Sequence, residues 1–111
     1  IELQKFSKII ESNIQLLEDF AKWLEIKDKD KKDDVSSACN DFLNVLGYIS
    51  LAYSWFKISK VSLVKLNENE NFYGEKINTA KYFYDKILPR VETHYRTAKT
   101  GSDFIMKAKF N

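Results

Sequence analysis

His94 is the one histidine in the sequence, and it follows Arg90 by four residues. That spacing sets an imidazole and a guanidinium on one face of a helix, where together they could hold a phosphate. Nothing nearby extends the pair into a reactive centre. A carboxylate-bridged di-iron bundle requires two Glu-x-x-His pairs from separate helices, whereas Glu92 stands two residues before His94 and no second histidine exists. A zinc site requires three or four ligands, and Cys39, the lone cysteine, cannot complete one. There is no Gly-x-Ser-x-Gly elbow and no phosphate-binding loop, so the serines and threonines have no base other than His94. Acidic pairs such as Glu18-Asp19 and Asp33-Asp34 are adjacent in sequence and cannot face each other across a cleft. These residues therefore predict no catalytic or metal-binding side chain: His94 sits on the surface or rim, and Cys39 is a small core residue.

The elements that carry these residues are set by the spacing of apolar positions. A first helix over about residues 3–26 aligns Leu3, Phe6, Ile10, Ile14, Leu17, Phe20 and Leu24, with Leu16 and Trp23 widening the face. Residues 27–34, KDKDKKDD, are eight consecutive charges of mixed sign and read as a solvated loop, with Asp33, Asp34 or Ser36 capping the next helix. This second helix, over about residues 35–66, carries Val35, Cys39, Phe42, Leu46, Ile49, Tyr53, Phe56, Leu63 and Leu66 on its stripe, with Lys60 as a misfit. At ~1.5 Å per residue it is a rod of roughly 45 Å. Residues 67–71, NENEN, form the second break, with Asn71 as the next cap.

The third stripe is the most regular, with Tyr73, Ile77, Ala80, Tyr84, Ile87, Val91, Tyr95 and Ala98 always three or four apart. Pro89 interrupts it without shifting its phase. A proline normally ends a helix at a cost of roughly 3 kcal/mol, so the unbroken stripe predicts a kinked helix that continues. Gly101 is its expected stop, and Phe104, Ile105 and Phe110 suit a short tail docked on the body. Short connections between long helices make neighbours antiparallel. The expected fold is all-α: one domain over residues 1–111, an up-down-up bundle of three long helices with a short C-terminal tail.

Composition narrows the class. The chain has 111 residues, 44% apolar with sixteen aromatics, which argues against disorder. Three glycines and one proline are too few for the turns of an all-β chain. No apolar run approaches the ~18 residues of a membrane span, no signal peptide is evident, and a single cysteine suits a reducing, cytoplasmic setting. The first residue, Ile1, already lies inside an amphipathic pattern, which predicts a piece cut from a longer polypeptide. Charge is uneven: residues 1–75 hold ten basic and thirteen acidic groups, and residues 76–111 hold eight basic and three acidic. A basic last third could meet an anionic partner, but only two of the basic residues are arginines, the usual readers of phosphates and bases.

Aromatic residues exceed what a three-helix core of this length requires. Tyr82, Phe83 and Tyr84 are consecutive and cannot all face one way, and Trp55 falls off the main stripe of its helix. These four, Trp55, Tyr82, Phe83 and Tyr84, are the candidate interface residues.

Ala80, Lys81, Phe83, Tyr84, Leu88 and Pro89, followed by Gly101 and Met106, form a pattern that closely resembles the C-terminal end of acyl-CoA dehydrogenases. More narrowly, it resembles the extra helical domain that succeeds the standard fold in one subgroup of these flavoenzymes. Phe42-Leu43 and residues 47–55 fit that domain's middle helix, so the resemblance covers about residues 35–108, with residues 1–30 fitting as a generic amphipathic helix. It implies a parent enzyme that uses FAD to remove hydrogens from the α and β carbons of an acyl-CoA thioester. The family's catalytic glutamate and flavin contacts lie upstream, so no catalytic, cofactor-binding or metal residue is carried over and FAD belongs to the parent alone. The implied partners are the rest of the parent enzyme and a neighbouring subunit, without nucleic acid. A different class, an independent helical interaction module such as an adaptor or a nucleic-acid-associated bundle, draws on the basic last third and the surplus aromatics.

Overall fold

The computed structural model describes residues 2–30 and 32–100. Their elements are α1 (Glu2–Asp30), α2 (Lys32–Val64), α3 (Glu70–Tyr82), a π-helical turn (Phe83–Ile87) and α4 (Arg90–Ala98), with no strand among the described residues. Together they measure 61 × 27 × 16 Å. The expected stop at Gly101 and the tail beyond it lie outside the described residues; α4 closes earlier, where Lys99 N–H donates to Tyr95 O and Arg96 O and Thr100 N–H to Thr97 O.

The charged run 27–34 is a correction. α1 continues through Asp30 and α2 starts at Lys32, so nearly all of the expected loop is helical. Lysine is a good helix former, and the run holds neither glycine nor proline, so its polarity does not stop the backbone. Asp34 lies in the first turn of α2, buried, with Lys27 Nζ 3.8 Å away. The second break begins earlier than expected, at Lys65, and its cap is Asn69, not Asn71: Asn69 Oδ1 accepts from Phe72 N–H at 3.1 Å.

Pro89 is accommodated by a change of helix type. In an ordinary α-helix its ring would press on the Asp85 carbonyl, and its missing N–H would leave a carbonyl without a donor. The preceding turn widens: Leu88 N–H reaches back five residues to Phe83 O at 2.9 Å. Beyond it the turns tighten, with Val91 N–H on Leu88 O and Glu92 N–H on Pro89 O. Instead of one kinked α-helix, the third rod is α3, a π turn, two turn residues and α4. Leu88 and Pro89 both keep right-handed helical angles (φ −58° each), so the rod does not open into a loop. The wider turn lets both Phe83 and Tyr84 face inward, and Leu88 and Val91 after them.

Aromatic rings join the rods. Phe20 of α1 is fully buried, its ring 5.1 Å from that of Phe42 in α2 and 5.2 Å from that of Tyr95 in α4. Near the other end of α1, Phe6 stacks on Tyr84 at 4.2 Å. The Tyr84 hydroxyl donates to the carbonyl of Ala52 in α2. That carbonyl has a second lone pair, so it can serve its own helix as well. Ile14, expected on the α1 stripe, is exposed.

The buried side of α2 differs from its expected stripe. Ala38, Val45, Ile49, Ala52, Ser59 and Ser62 face the core, while Cys39, Leu46, Tyr53 and Leu63 are exposed. The small residues allow the flanking rods to come close, and hydropathy alone does not register that.

Burial pushes the Tyr84 phenol from 10.0 up to about 12. The unfolded chain therefore ionises this group first, and stability present below pH 10 falls as pH rises towards 12. Urea melts at increasing alkaline pH should show this loss, and Tyr84→Phe should flatten it while costing about 1 kcal/mol at neutral pH. Ser59 Oγ is buried without a hydrogen-bond partner. Ser59→Ala should therefore leave the unfolding free energy unchanged or raise it by up to about 1 kcal/mol in the same assay.

Candidate functional site

Residues 42–56, FLNVLGYISLAYSWF, contain no charge, so α2 is apolar around its circumference for about four turns. One side enters the core. The other carries Leu43 (64% exposed), Leu51 (50%), Ile58 and Val61 (51%), with Gly47, Ser50 and Ser54 between them. Three donors on or beside this side are turned back onto their own helix. Ser50 Oγ donates to Leu46 O at 2.8 Å, Ser54 Oγ to Ser50 O at 3.2 Å, and Asn44 Nδ2 to Asn40 O at 2.8 Å. With those donors engaged, the face offers mainly hydrocarbon to whatever lies against it. Gly47 stands in its middle, and a Cβ built there meets nothing within 4 Å. Glycine in a helix interior costs about 1 kcal/mol relative to alanine, and no neighbour among the described residues requires that small residue.

A shallow groove of about 420 Å³ continues the face towards α3, lined by Ile58, Val61, Ser62, Phe72 and Tyr73 and flanked by Lys57 and Lys76. Each lysine rests over an aromatic ring: Lys57 Nζ lies 4.7 Å from the Tyr53 centroid and Lys76 Nζ 5.2 Å from that of Phe72. Their stems thereby cover apolar surface while their charges stay in water.

The four candidate interface residues separate. Tyr82 is 60% exposed, whereas Phe83 and Tyr84 are buried in this chain's own core and Trp55 is half-buried against it. Three consecutive aromatics thus leave one outside. The larger outward apolar surface, on α2, escapes the sequence reading because the periodic stripe assigns Leu46 and Tyr53 to the core. The missing charge over residues 42–56 is the signal for it.

His94 and Arg90 do not form a joint phosphate site. Arg90 is exposed, while half-buried His94 is engaged through Nδ1 with Asp41 Oδ1 of α2 at 2.8 Å, its ring 5.9 Å from that of Tyr48. Asp41 is 53 positions away, and no local motif announces the pair. Among the described residues, no group of three or more His, Cys, Asp and Glu is arranged for a metal ion, and no helix is long and apolar enough to cross a membrane. Part of the basic last third is engaged internally: Lys81 Nζ lies 3.6 Å from Glu2, and Lys99 covers Tyr95 at 4.2 Å.

The described residues do not fit a flavin. The groove beside α3 is open and shallow, and no glycine-rich turn presents backbone N–H groups to a pyrophosphate.

A family model described as acetyl-CoA dehydrogenase C-terminal like matches residues 1–109. The match takes in the first helix, beyond the range over which the motifs alone carried a resemblance. No match was found among the curated proteins or the solved structures.

Asp41→Ala should remove the partner of a half-buried imidazole and lower the unfolding free energy by about 1–2 kcal/mol. His94→Ala in the Asp41→Ala background should add little, and a double-mutant cycle on urea melts measures that coupling.

Proposed function

We propose that this chain, which belongs to the acetyl-CoA dehydrogenase C-terminal-like family, is the helical C-terminal domain of an FAD-dependent acyl-CoA dehydrogenase and acts there as a packing module. The parent reaction would be dehydrogenation between the α and β carbons of an acyl-CoA thioester, with the base and the flavin contacts supplied upstream. None of the described residues enters that chemistry. The observation that carries the reading is the exposed outer face of α2, an apolar surface of the kind that marks an interface. Its role is to lie against the rest of the parent chain or a neighbouring subunit, with Tyr82 and the exposed edge of Trp55 as additional contacts. Phe83 and Tyr84 support the module from inside.

In this reading residues 1–111 are one domain of a longer cytoplasmic polypeptide, and its three rods run up, down and up. The pairings support that order. Phe20 meets Phe42 across the first junction. Along the third rod, Tyr84 meets Ala52 and His94 meets Asp41, so the partner number falls as the rod advances.

The test compares the purified chain with a longer product that includes the preceding part of the reading frame. The longer product should bind flavin, the 111-residue chain should not, and Leu43→Asp with Leu51→Asp should lower the melting temperature of the longer product. Stoichiometric flavin in the isolated chain, or a double variant that leaves the longer product unaltered, would overturn the reading. Salt-dependent binding of RNA by the isolated chain would favour the independent interaction module.

A further inference from the structure

We infer that the groove between α2 and α3 is a binding site for a small apolar carboxylate, whose body lies along Val61 and Phe72 while its head group meets Lys57, Lys76 and the hydroxyl of Ser62. The inference goes beyond the packing-module reading and does not depend on it.

Ser62 separates this groove from the rest of the α2 surface. It lines the groove, is only 2% exposed, and its hydroxyl has no hydrogen-bond partner among the described residues. Serines inside helices commonly return their proton to a carbonyl one turn back, as Ser50 and Ser54 do. Ser62 instead keeps its donor free at a place largely shut off from water, where an unmet donor costs free energy. Tyr73, which lines the groove from α3, also has a hydroxyl without a partner among the described residues.

Charge selects the acceptor. Lys57 and Lys76 reach the groove from α2 and α3, and neither is paired with a carboxylate among the described residues; their ammonium groups rest on the rings of Tyr53 and Phe72. A cation–ring contact at an exposed site is weak, so either ammonium can turn to a carboxylate for a stronger, charge-assisted bond. No acidic residue occurs over residues 42–67, and exposed Glu70 and Glu75 of α3 do not line the groove. The lining therefore sets donors and cations around hydrocarbon, which suits a ligand apolar along its body and negative at one end. Both arginines lie in α4, so the groove has no planar fork for the several oxygens of a phosphate. A volume of about 420 Å³ is near the lower end for small-molecule sites and limits the ligand to one or two rings or their equivalent.

The probe is 2-naphthoate, with 2-naphthylmethanol as its neutral counterpart. Titrations of the isotope-labelled chain, followed by amide chemical shifts, should give a Kd on the order of 1 mM for 2-naphthoate, as its roughly thirteen heavy atoms allow. The shifts should centre on Ser62, Phe72 and Tyr73. The alcohol should bind roughly tenfold more weakly, and added salt should narrow that difference. Lys57→Met with Lys76→Met keeps the apolar stems and should bring 2-naphthoate down to the level of the alcohol. Ser62→Ala should weaken 2-naphthoate by roughly threefold or more, with unchanged helical circular dichroism. Equal binding of acid and alcohol, shifts centred elsewhere, or a double methionine variant that binds like the unaltered chain would overturn the site. If the longer product fails to bind 2-naphthoate where the 111-residue chain binds it, a segment of that product fills the groove and the small-molecule site is overturned. Flavin content and the effect of Leu43→Asp with Leu51→Asp are untouched by any of these results, so the packing-module reading stands or falls separately.

Discussion

α2 has more apolar circumference than two neighbouring rods can cover, and most of this molecule's character comes from that mismatch. Its inner side is built from small residues, Ala38, Ala52, Ser59 and Ser62, which let α1 and the third rod approach closely. Large aromatic rings from those rods then reach across: Phe20 to Phe42 and Tyr95, and Phe6 to Tyr84. Its outer side keeps Leu43, Leu51, Ile58 and Val61 in water. A helix apolar all round is ordinarily buried all round, and α2 departs from that by leaving these residues exposed.

The third rod solves a different problem with the same economy. Its partners along α2 and α1 demand continuity, while Pro89 removes a donor and crowds a carbonyl. Widening one turn, so that Leu88 bonds to Phe83 rather than to Tyr84, relieves the proline without diverting the rod. The same turn brings Phe83 and Tyr84 inward together, and through Tyr84 it reaches both Phe6 and the Ala52 carbonyl. The proline and the Phe6–Tyr84 stack, at 4.2 Å the closest ring pair among the described residues, are thus two ends of one local arrangement.

Polar groups show a consistent pattern. On the outer side of α2 the Ser50 and Ser54 hydroxyls and one Asn44 amide N–H donate within their own helix. On the inner side, Asp41 and His94 bridge α2 and α4 and leave Arg90 by itself on the surface. The one imidazole of the chain is therefore occupied in holding two rods together.

Periodicity in the sequence was sufficient for the all-helical class and for the buried line of the third rod, where Ile77, Ala80, Tyr84, Val91 and Ala98 are all buried as their spacing requires. Those residues alternate with charges, so only one side of the rod can be apolar. α2 lacked that contrast: with no charge over residues 42–56, two opposite sides were equally plausible, and only the placement of α1 and α4 chose between them. Ala38 over Cys39, and Ala52 over Tyr53, is a choice made by how closely two backbones can approach. The pairing of Asp41 with His94 likewise depended on rods brought together from distant parts of the chain. A sequence read along its length carries the local preference for helix, but it has no means of stating which side of an evenly apolar helix its neighbours will occupy.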